Sequence, residues 1–162
     1  MEPLDVRDLV ASSGSTRRVV MDVALDELET EVAWVPPEAP LHVELLLEGI
    51  VEGVFVTGPI SGRMELSCAR CLTPLSRDFR VEVAELFSPD PDEETYTLAE
   101  ETLDVEPMVR DAVVLAMPFS PLCRPDCAGL CERCGGDRNR GECSCPPPVD
   151  PRWAALSELK LD

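Results

Sequence analysis

Two amphipathic runs around a pair of cysteines decide the fold of this chain. Residues 60–83 read Ile-Ser-Gly-Arg-Met-Glu-Leu-Ser, then Cys-Ala-Arg-Cys-Leu-Thr-Pro, then Leu-Ser-Arg-Asp-Phe-Arg-Val-Glu-Val. Apolar and polar residues alternate in the first run, and most apolar residues of the second run share one parity. A period of two is typical of strands with one buried face. We therefore predict a β-hairpin that carries Cys68 and Cys71 at its tip.

The segments on either side extend this pattern into a sheet with one main helix. Residues 19–25 and 41–47 also place apolar residues on one parity, which predicts two further strands. Residues 104–117 have apolar residues at helical spacing, with Asp104 as a candidate cap and a proline in the first turn. Pro118 then ends the predicted helix.

These elements predict an α+β fold with a mainly antiparallel β domain. We expect a β-rich core domain over residues 1–120, including the helix at about 104–117. Residues 121–162 form the predicted second unit, a cysteine-rich zinc-binding extension packed on the core. The spacing of Trp153, Leu156 and Leu159 predicts a short C-terminal helix within that extension.

The clearest chemical signal is a set of eight cysteines in two groups. The last four form Cys131-x2-Cys134-x8-Cys143-x-Cys145, a spacing that suits a closed site of four thiolates. The remaining four are Cys68, Cys71, Cys123 and Cys127. We predict that this second set joins the hairpin tip to the tail. Two alternatives stay open, an exchange of Cys127 with Cys131 and a metal bound by one group alone.

The compartment and the local structure both favour metal binding over thiol chemistry. Grouped cysteines in a reducing cytosol are typical of metal sites rather than disulfides. We predict one or two structural Zn²⁺ ions, since all-thiolate sites usually hold zinc with no open position. A redox role for Cys68-x2-Cys71 is disfavoured, because redox pairs usually lie at the start of a helix and this pair lies between strands.

Charge is unevenly distributed along the chain. Its 14 basic and 32 acidic residues give a net charge of −18, which argues against unselective binding to nucleic acid. Residues 61–80, however, carry four arginines and only two acids. These arginines, Arg63, Arg70, Arg77 and Arg80, are our candidates for contact with RNA phosphates. The alternative interpretation is ordinary surface charge.

Signals for catalysis and for membrane insertion are missing from the sequence. The one histidine, His42, lies on the polar parity of a predicted strand, and no catalytic triad or phosphate-binding glycine loop stands out. We therefore expect no enzyme, no catalytic residue and no small-molecule substrate. The sequence shows no secretory signal and no apolar run of about 18 residues, so we expect a cytoplasmic protein without a membrane partner.

An ordered set of motifs resembles a known family. The pieces are Cys68-Ala-Arg-Cys71, the Pro118–Cys127 segment, Gly129-Leu-Cys-x2-Cys-Gly135, Asn139, Cys143-x-Cys145 and Asp150-Pro-Arg152 with Leu156 and Leu159 after it. Together they are similar to the YceD family, also called DUF177 or large ribosomal RNA subunit accumulation protein. The resemblance implies a non-enzymatic bacterial or plastid factor for 23S rRNA accumulation and large-subunit biogenesis.

The resemblance also sets the expected partners. It implies action on 23S rRNA or on large-subunit assembly intermediates, either directly or through a protein partner. The alternative from the residues is a zinc-stapled protein-interaction module without direct RNA contact, which the strongly acidic composition favours.

Overall fold

A computed structural model describes residues 1–146 and residue 152 of the chain. The strands are β1 (Leu4–Asp5), β2 (Thr16–Val23), β3 (Ala33–Trp34), β4 (Leu41–Ile50), β5 (Gly53–Ser67), β6 (Pro74–Ser88), β7 (Tyr96–Ala99) and β8 (Thr102–Leu103). The helices are α1 (Arg7–Val10) and α2 (Glu106–Ala116), and a 3₁₀ turn covers Arg138–Arg140. The predicted C-terminal helix around Trp153, Leu156 and Leu159 lies outside the described residues.

The strands form one sheet in the order β1-β8-β7-β6-β5-β4-β2, and β3 pairs with β5 beyond the end of β4. Strands β5 and β6 have 15 residues each and pair from Val54↔Phe87 to Ser67↔Pro74. This long antiparallel pair is the hairpin that the alternation predicts. Its closed end presents the first cysteine pair, so the sheet positions the site.

The predicted fold class, α+β with a mainly antiparallel sheet, is wrong in two respects. The protein is mainly β, because α2, with 11 residues, is its one main helix within the described chain. The sheet is also mixed, since β6 and β7 run parallel through Phe87↔Tyr96 and Ser88↔Thr97. The proline-broken loop at 89–95 returns the chain beside β6 in the same direction. Alternation marks a strand but not the direction of its partner, so the sequence pattern missed this pairing.

One face of the sheet forms the core together with α2. The even-numbered residues of β5 other than its glycines, among them Val56 and Met64, are buried, and Phe87 of β6 is fully buried. The helix adds three buried residues, Met108, Val109 and Val113. It starts close to the predicted cap, where the Asp104 carboxylate accepts the Glu106 N–H at 3.0 Å. Burial of this apolar face is the main stabilising contribution to the fold.

A glycine lets the central strand approach its neighbour. Gly58 of β5 has a φ of 143°, and a Cβ there would lie 2.1 Å from the Glu44 carbonyl oxygen. Regular pairing of β4 and β5 is interrupted at this point, between Val43↔Ile60 and Leu46↔Thr57. The register is the same on both sides of this gap, so the ladder is interrupted without insertion of a residue. Within residues 1–146, no helix has the length and hydrophobicity of a bilayer-spanning segment.

Candidate metal centres

The first candidate centre joins the hairpin tip to the segment after α2. Cys68 and Cys71 come from the turn between β5 and β6, and Cys123 and Cys127 come from the chain beyond α2. All four sulfur atoms lie within 4.8 Å of one another. The Sγ atoms of Cys68 and Cys127 are 3.8 Å apart, and those of Cys71 and Cys123 are 3.6 Å apart. We call this set the first tetrad.

These spacings fit a tetrahedral metal ion. A zinc–thiolate bond of about 2.3 Å places the sulfurs of a tetrahedral site about 3.8 Å apart. The two measured S···S distances, 3.8 and 3.6 Å, lie close to that value. They are far longer than a covalent S–S bond of about 2.0 Å, and all eight cysteines are free. The donor set therefore suits Zn²⁺ or another thiophilic divalent ion.

Backbone hydrogen bonds hold the two ligand pairs together. The Ala69 N–H donates to the Pro121 carbonyl at 2.8 Å, and the Leu130 N–H donates to the Arg70 carbonyl at 2.9 Å. Gly129 makes this approach possible. Its φ is 73°, and a Cβ there would lie 2.9 Å from the Arg70 carbonyl oxygen. The tail is thus docked on the tip by its own backbone as well as by the cysteines.

The electrostatics of the first tetrad favour a bound cation. Burial raises the pKa of the Cys68 thiol, but N–H groups of Cys123, Arg70 and Cys71 outweigh it and lower that pKa to about 6. At Cys123, burial and the neighbouring sulfurs raise the pKa to about 12. The thiolate form of Cys68 is therefore stabilised, whereas deprotonation of Cys123 is disfavoured. A divalent cation removes this conflict, because coordinated thiols are deprotonated.

The second tetrad is local and more exposed. Cys131, Cys134, Cys143 and Cys145 also have all four sulfurs within 4.8 Å of one another. Cys131 is buried, Cys134 is exposed, and the other two are half-buried. Around Cys131, N–H groups of Cys134 and Arg133 lower the thiol pKa to about 5. The geometry thus groups the eight cysteines into the same two sets of four that the spacing suggests.

Glycines shape the turn of the second tetrad. The Cys131 N–H donates to the Gly136 carbonyl at 2.9 Å, and the Gly135 N–H donates to the Cys131 carbonyl at 2.8 Å. Gly135 has a φ of 71°, a conformation that L-residues with side chains adopt at a cost. The pair of glycines after Cys134 therefore closes a tight knuckle that points Cys131 and Cys134 at one position.

Asn139, which lies between Cys134 and Cys143 in the chain, contacts the first tetrad, a role that sequence reasoning did not assign to it. Its Nδ2 donates to the Cys127 Sγ at 3.5 Å, and its Oδ1 accepts from the Ala128 N–H and from Arg124, each at 2.8 Å. Asp137 fixes the residue in turn, since its Oδ1 accepts from the Asn139 N–H and Nδ2 at 2.8 Å. A carboxamide between the Cys131-x2-Cys134 and Cys143-x-Cys145 pairs is the sequence signal for such an outer-sphere partner.

Thr73 is a second outer-sphere residue that the sequence reasoning missed. Its hydroxyl lies 3.1 Å from the Cys71 Sγ. That hydrogen bond is the main cause of the lowered pKa of the Cys71 thiol. A hydroxyl two residues after a cysteine is the signal that could have identified it.

Two of the four candidate RNA-contact arginines share one face of the hairpin. Arg63 on β5 and Arg80 on β6 both lie on the face opposite the core, as their strand parity requires. Arg63 pairs with Asp78 at 3.1 Å, and Arg80 pairs with Glu82 at 3.2 Å. Each positive charge is therefore already balanced by a neighbouring carboxylate.

The other two arginines lie elsewhere. Arg77 is opposite the buried Met64 in the β5–β6 register, so it belongs to the core-side face, and it is exposed there. Arg70 donates from Nη1 to the Cys127 carbonyl at 2.9 Å, which ties the knuckle to the tail. The four side chains are thus distributed over both faces and the tip, and their contact with RNA stays a prediction.

The sheet, the hairpin tip and the two tetrads define a class: a mainly β protein whose tail is attached through candidate thiolate metal centres. A family model described as large ribosomal RNA subunit accumulation protein YceD matches residues 56–160. That range is more than half of the chain and holds both tetrads. The chain belongs to the YceD family.

Individual relatives agree with this assignment. An uncharacterized protein of Mycobacterium tuberculosis is 39% identical over 137 residues, which are 80% of this chain and 66% of the relative. An uncharacterized protein of Bacillus subtilis, YlbN, is 30% identical over 107 residues, 62% of each chain. A Zea mays protein named large ribosomal RNA subunit accumulation protein YCED homolog 1, chloroplastic, is 23% identical over 192 residues, 91% of this chain and 62% of the relative.

The chain spans just under two thirds of the length of these relatives. No solved structure gives a significant match.

Proposed function

We propose that this chain is a non-catalytic factor for 23S rRNA accumulation and large ribosomal subunit biogenesis, with two structural Zn²⁺ ions. The observation that carries the proposal is the family match over residues 56–160, which spans the hairpin, α2 and both tetrads. The printed name of the maize relative supports the same role. The working location we propose is the cytoplasm, where ribosomal subunits assemble.

The proposed zinc ions would be held entirely by this chain's thiolates. The first tetrad would hold one ion between the tip and the tail, and the second tetrad would hold the other within the knuckle. Zinc in such a site supplies a rigid tetrahedral cross-link. The Asn139 amide and the Thr73 hydroxyl would orient individual sulfurs around it.

Closed ligand sets support action by binding rather than by catalysis. A catalytic zinc keeps one coordination position open for water or substrate, whereas four thiolates occupy all four positions. His42, the one histidine, is exposed and hydrogen-bonded to Asp22 at 2.8 Å. That setting suits a surface residue better than a general base in a cleft.

We propose the outward face of the hairpin near Arg63 and Arg80 as the surface for direct contact with rRNA. Both side chains are exposed, and their partners Asp78 and Glu82 are surface carboxylates that a phosphate could displace. The net charge of −18 limits such contact to a small area. Binding through so few cations would depend only modestly on salt, because the salt dependence scales with the number of phosphates neutralised.

A protein-mediated role is the second candidate, and an apolar surface beside the first tetrad favours it. Phe119 is 99% exposed and Leu115 is 83% exposed. Together with Val32 and Met117 they line a groove of about 350 Å³ just before the cysteine-bearing segment. Large exposed apolar side chains around a concave surface are typical of protein contacts.

The function is tested by removing the gene and measuring rRNA. We expect 23S rRNA and the large subunit to fall relative to 16S rRNA and the small subunit in ribosome profiles. The intact chain should restore them, as should a Cys134→Ser variant that keeps the first tetrad. An unchanged ratio of 23S to 16S rRNA would rule the proposal out.

Direct and mediated contact are separated by binding assays at low salt. An Arg63→Gln, Arg80→Gln double variant should weaken binding to 23S rRNA fragments if the contact is direct. Arg7→Gln is the matched control, since Arg7 is an exposed, ion-paired arginine at the far end of the sheet. If the intact protein binds no RNA, Phe119→Ser should instead abolish recovery of large-subunit precursors with the protein.

A further inference from the structure

Strand β2 is a long open edge of the sheet. It has eight residues, Thr16–Val23, and it pairs with β4 along its whole length. Among the residues that the structure describes, no strand pairs with its other side. An open edge presents a row of unpaired N–H and C=O groups, which is a template for another strand.

The residues of β2 are arranged symmetrically about Val20. The outward face carries Arg18 and Asp22, two positions before and two positions after Val20. The inward face carries Val19 and Met21, which pack against the core. Val20 itself is 55% exposed, although it is an apolar residue in the middle of the strand.

We propose that β2 pairs antiparallel with β2 of a second copy of this chain, with the twofold axis at Val20. This register makes one continuous sheet from the two copies. It places Arg18 opposite Asp22 of the second copy, twice per dimer, and Val20 opposite its own equivalent. On the inner face, Val19 lies opposite Met21 of the second copy, so the apolar face continues across the junction.

Charge selects this register among the alternatives. A shared inner face requires that opposed residues have the same parity. Among the registers that meet this condition, a shift of the axis to Arg18 or to Asp22 would place like charges directly opposite each other, which destabilises a strand pair. Shifts to Val19 or Met21 leave Arg18 and Asp22 without an opposite charge. The Val20 axis is the one that pairs them.

The charged side chains of β2 are available for this contact. The side chains of Arg18 and Asp22 are 75% and 69% exposed. Their present partners are a long Arg18–Glu44 pair at 3.8 Å and the Asp22–His42 hydrogen bond, which leaves the second Asp22 oxygen open. Arg17 does not interfere, because Asp8 and the Asp5 carbonyl already hold it on the inner face.

The test is the mass of the full-length, metal-loaded protein in solution. Light scattering and sedimentation over roughly 1–500 µM should show a rise toward twice the 17.8 kDa chain mass. A mass that stays at 17.8 kDa over the whole range overturns the proposal.

Charge exchange tests the register. Arg18→Asp and Asp22→Arg should each weaken the dimer at least about tenfold, because each creates two like-charge pairs. The double variant Arg18→Asp, Asp22→Arg should restore it. Val20→Lys should also weaken the dimer, whereas the control Val51→Lys, at an 87% exposed turn residue, should not. A dimer that resists all of these changes has another interface and equally overturns the proposal.

Discussion

The two tetrads contain the same four ligands but differ in what they connect. The first tetrad joins residues 59 positions apart in the chain, such as Cys68 and Cys127, and is largely buried at the end of the hairpin. The second tetrad draws all its cysteines from residues 131–145 and is more exposed, with one buried, one exposed and two half-buried cysteines. The same set of four cysteines therefore attaches the tail to the hairpin in the first tetrad and stabilises a local turn in the second.

Breaking one ligand in each tetrad should give the largest contrast. Cys127→Ser removes one ligand of the metal ion that we propose holds the tail on the sheet, so we expect the melting temperature to fall by roughly 10 °C or more. Cys145→Ser should lower it much less, because the second tetrad contacts little of the core. Calorimetry measures the melting temperatures of the two variants, and elemental analysis measures their metal content. Equal falls in melting temperature would contradict the distinction between a tertiary and a local site.

A pair of glycines sharpens the same contrast with smaller changes. Gly129→Ala combines a φ of 73° with a Cβ 2.9 Å from the Arg70 carbonyl, so we expect a loss of about 2–3 kcal/mol in the free energy of unfolding. Gly135→Ala has a similar φ of 71° but open space around the Cβ, so about 1 kcal/mol is expected. Denaturant unfolding compares them, and a larger effect at Gly135 would contradict the packing argument.

Loss of the Asn139 amide should affect the first tetrad more than the second. Asn139→Ala removes the hydrogen bond to the Cys127 sulfur, and we expect zinc affinity at the first tetrad to fall about 10–100-fold. Competition with a chromogenic chelator measures this fall, using Cys145→Ser as the background so that one centre is read alone. Thr73→Val is the corresponding change beside Cys71. Unchanged zinc affinity in both variants would contradict an outer-sphere role for Asn139 and Thr73.

The smallest expected effect is on the pKa of Tyr96. Titration of this phenol shows whether loss of a tetrad cysteine disturbs the sheet. Tyr96 is the only tyrosine, and burial, with a hydrogen bond to Asp111, raises its pKa to about 12. Because the folded pKa lies above the ordinary value of about 10, this contribution to stability is complete below pH 10 and is lost as pH rises toward 12. Absorbance at alkaline pH follows the phenol directly.

The raised pKa of Tyr96 should persist in Cys145→Ser, where the sheet is untouched. In Cys127→Ser it should persist only if the sheet survives loss of the tail. Asp111→Asn is the control that should lower it. A normal pKa in the unaltered protein would contradict the packing of Tyr96 on Phe87, whose ring centroid lies 5.2 Å away.

Much of this arrangement is predictable from sequence because local patterns carry it. The alternation around residues 60–83 predicts the hairpin, and the helix at Glu106–Ala116 falls inside the predicted range 104–117. For the hairpin and the helix the deciding information lies within a few residues. Spacing also favours two sets of four cysteines, but an exchange of Cys127 with Cys131 stays open until the geometry groups the sulfur atoms.

The features that sequence reasoning missed depend on contacts between distant segments. The parallel β6–β7 pair needs the path of the loop at 89–95, which alternation does not encode. The role of Asn139 appears only when residues 124–128 lie beside it. The positions of Arg63 and Arg77 on opposite faces follow from parity, but their ion pairs and exposure do not.

The chain separation within each tetrad has a consequence for biosynthesis. The second tetrad closes over 14 residues, so it can assemble as soon as that short segment has left the ribosome. The first tetrad closes a 59-residue loop between Cys68 and Cys127, which costs about 1 kcal/mol more in loop entropy. It also requires β6 and α2 to have been synthesised. Cys127, the last ligand of the first tetrad, nevertheless leaves the ribosome before Cys145 completes the second, so the tail can be secured to the β domain before the local knuckle has closed.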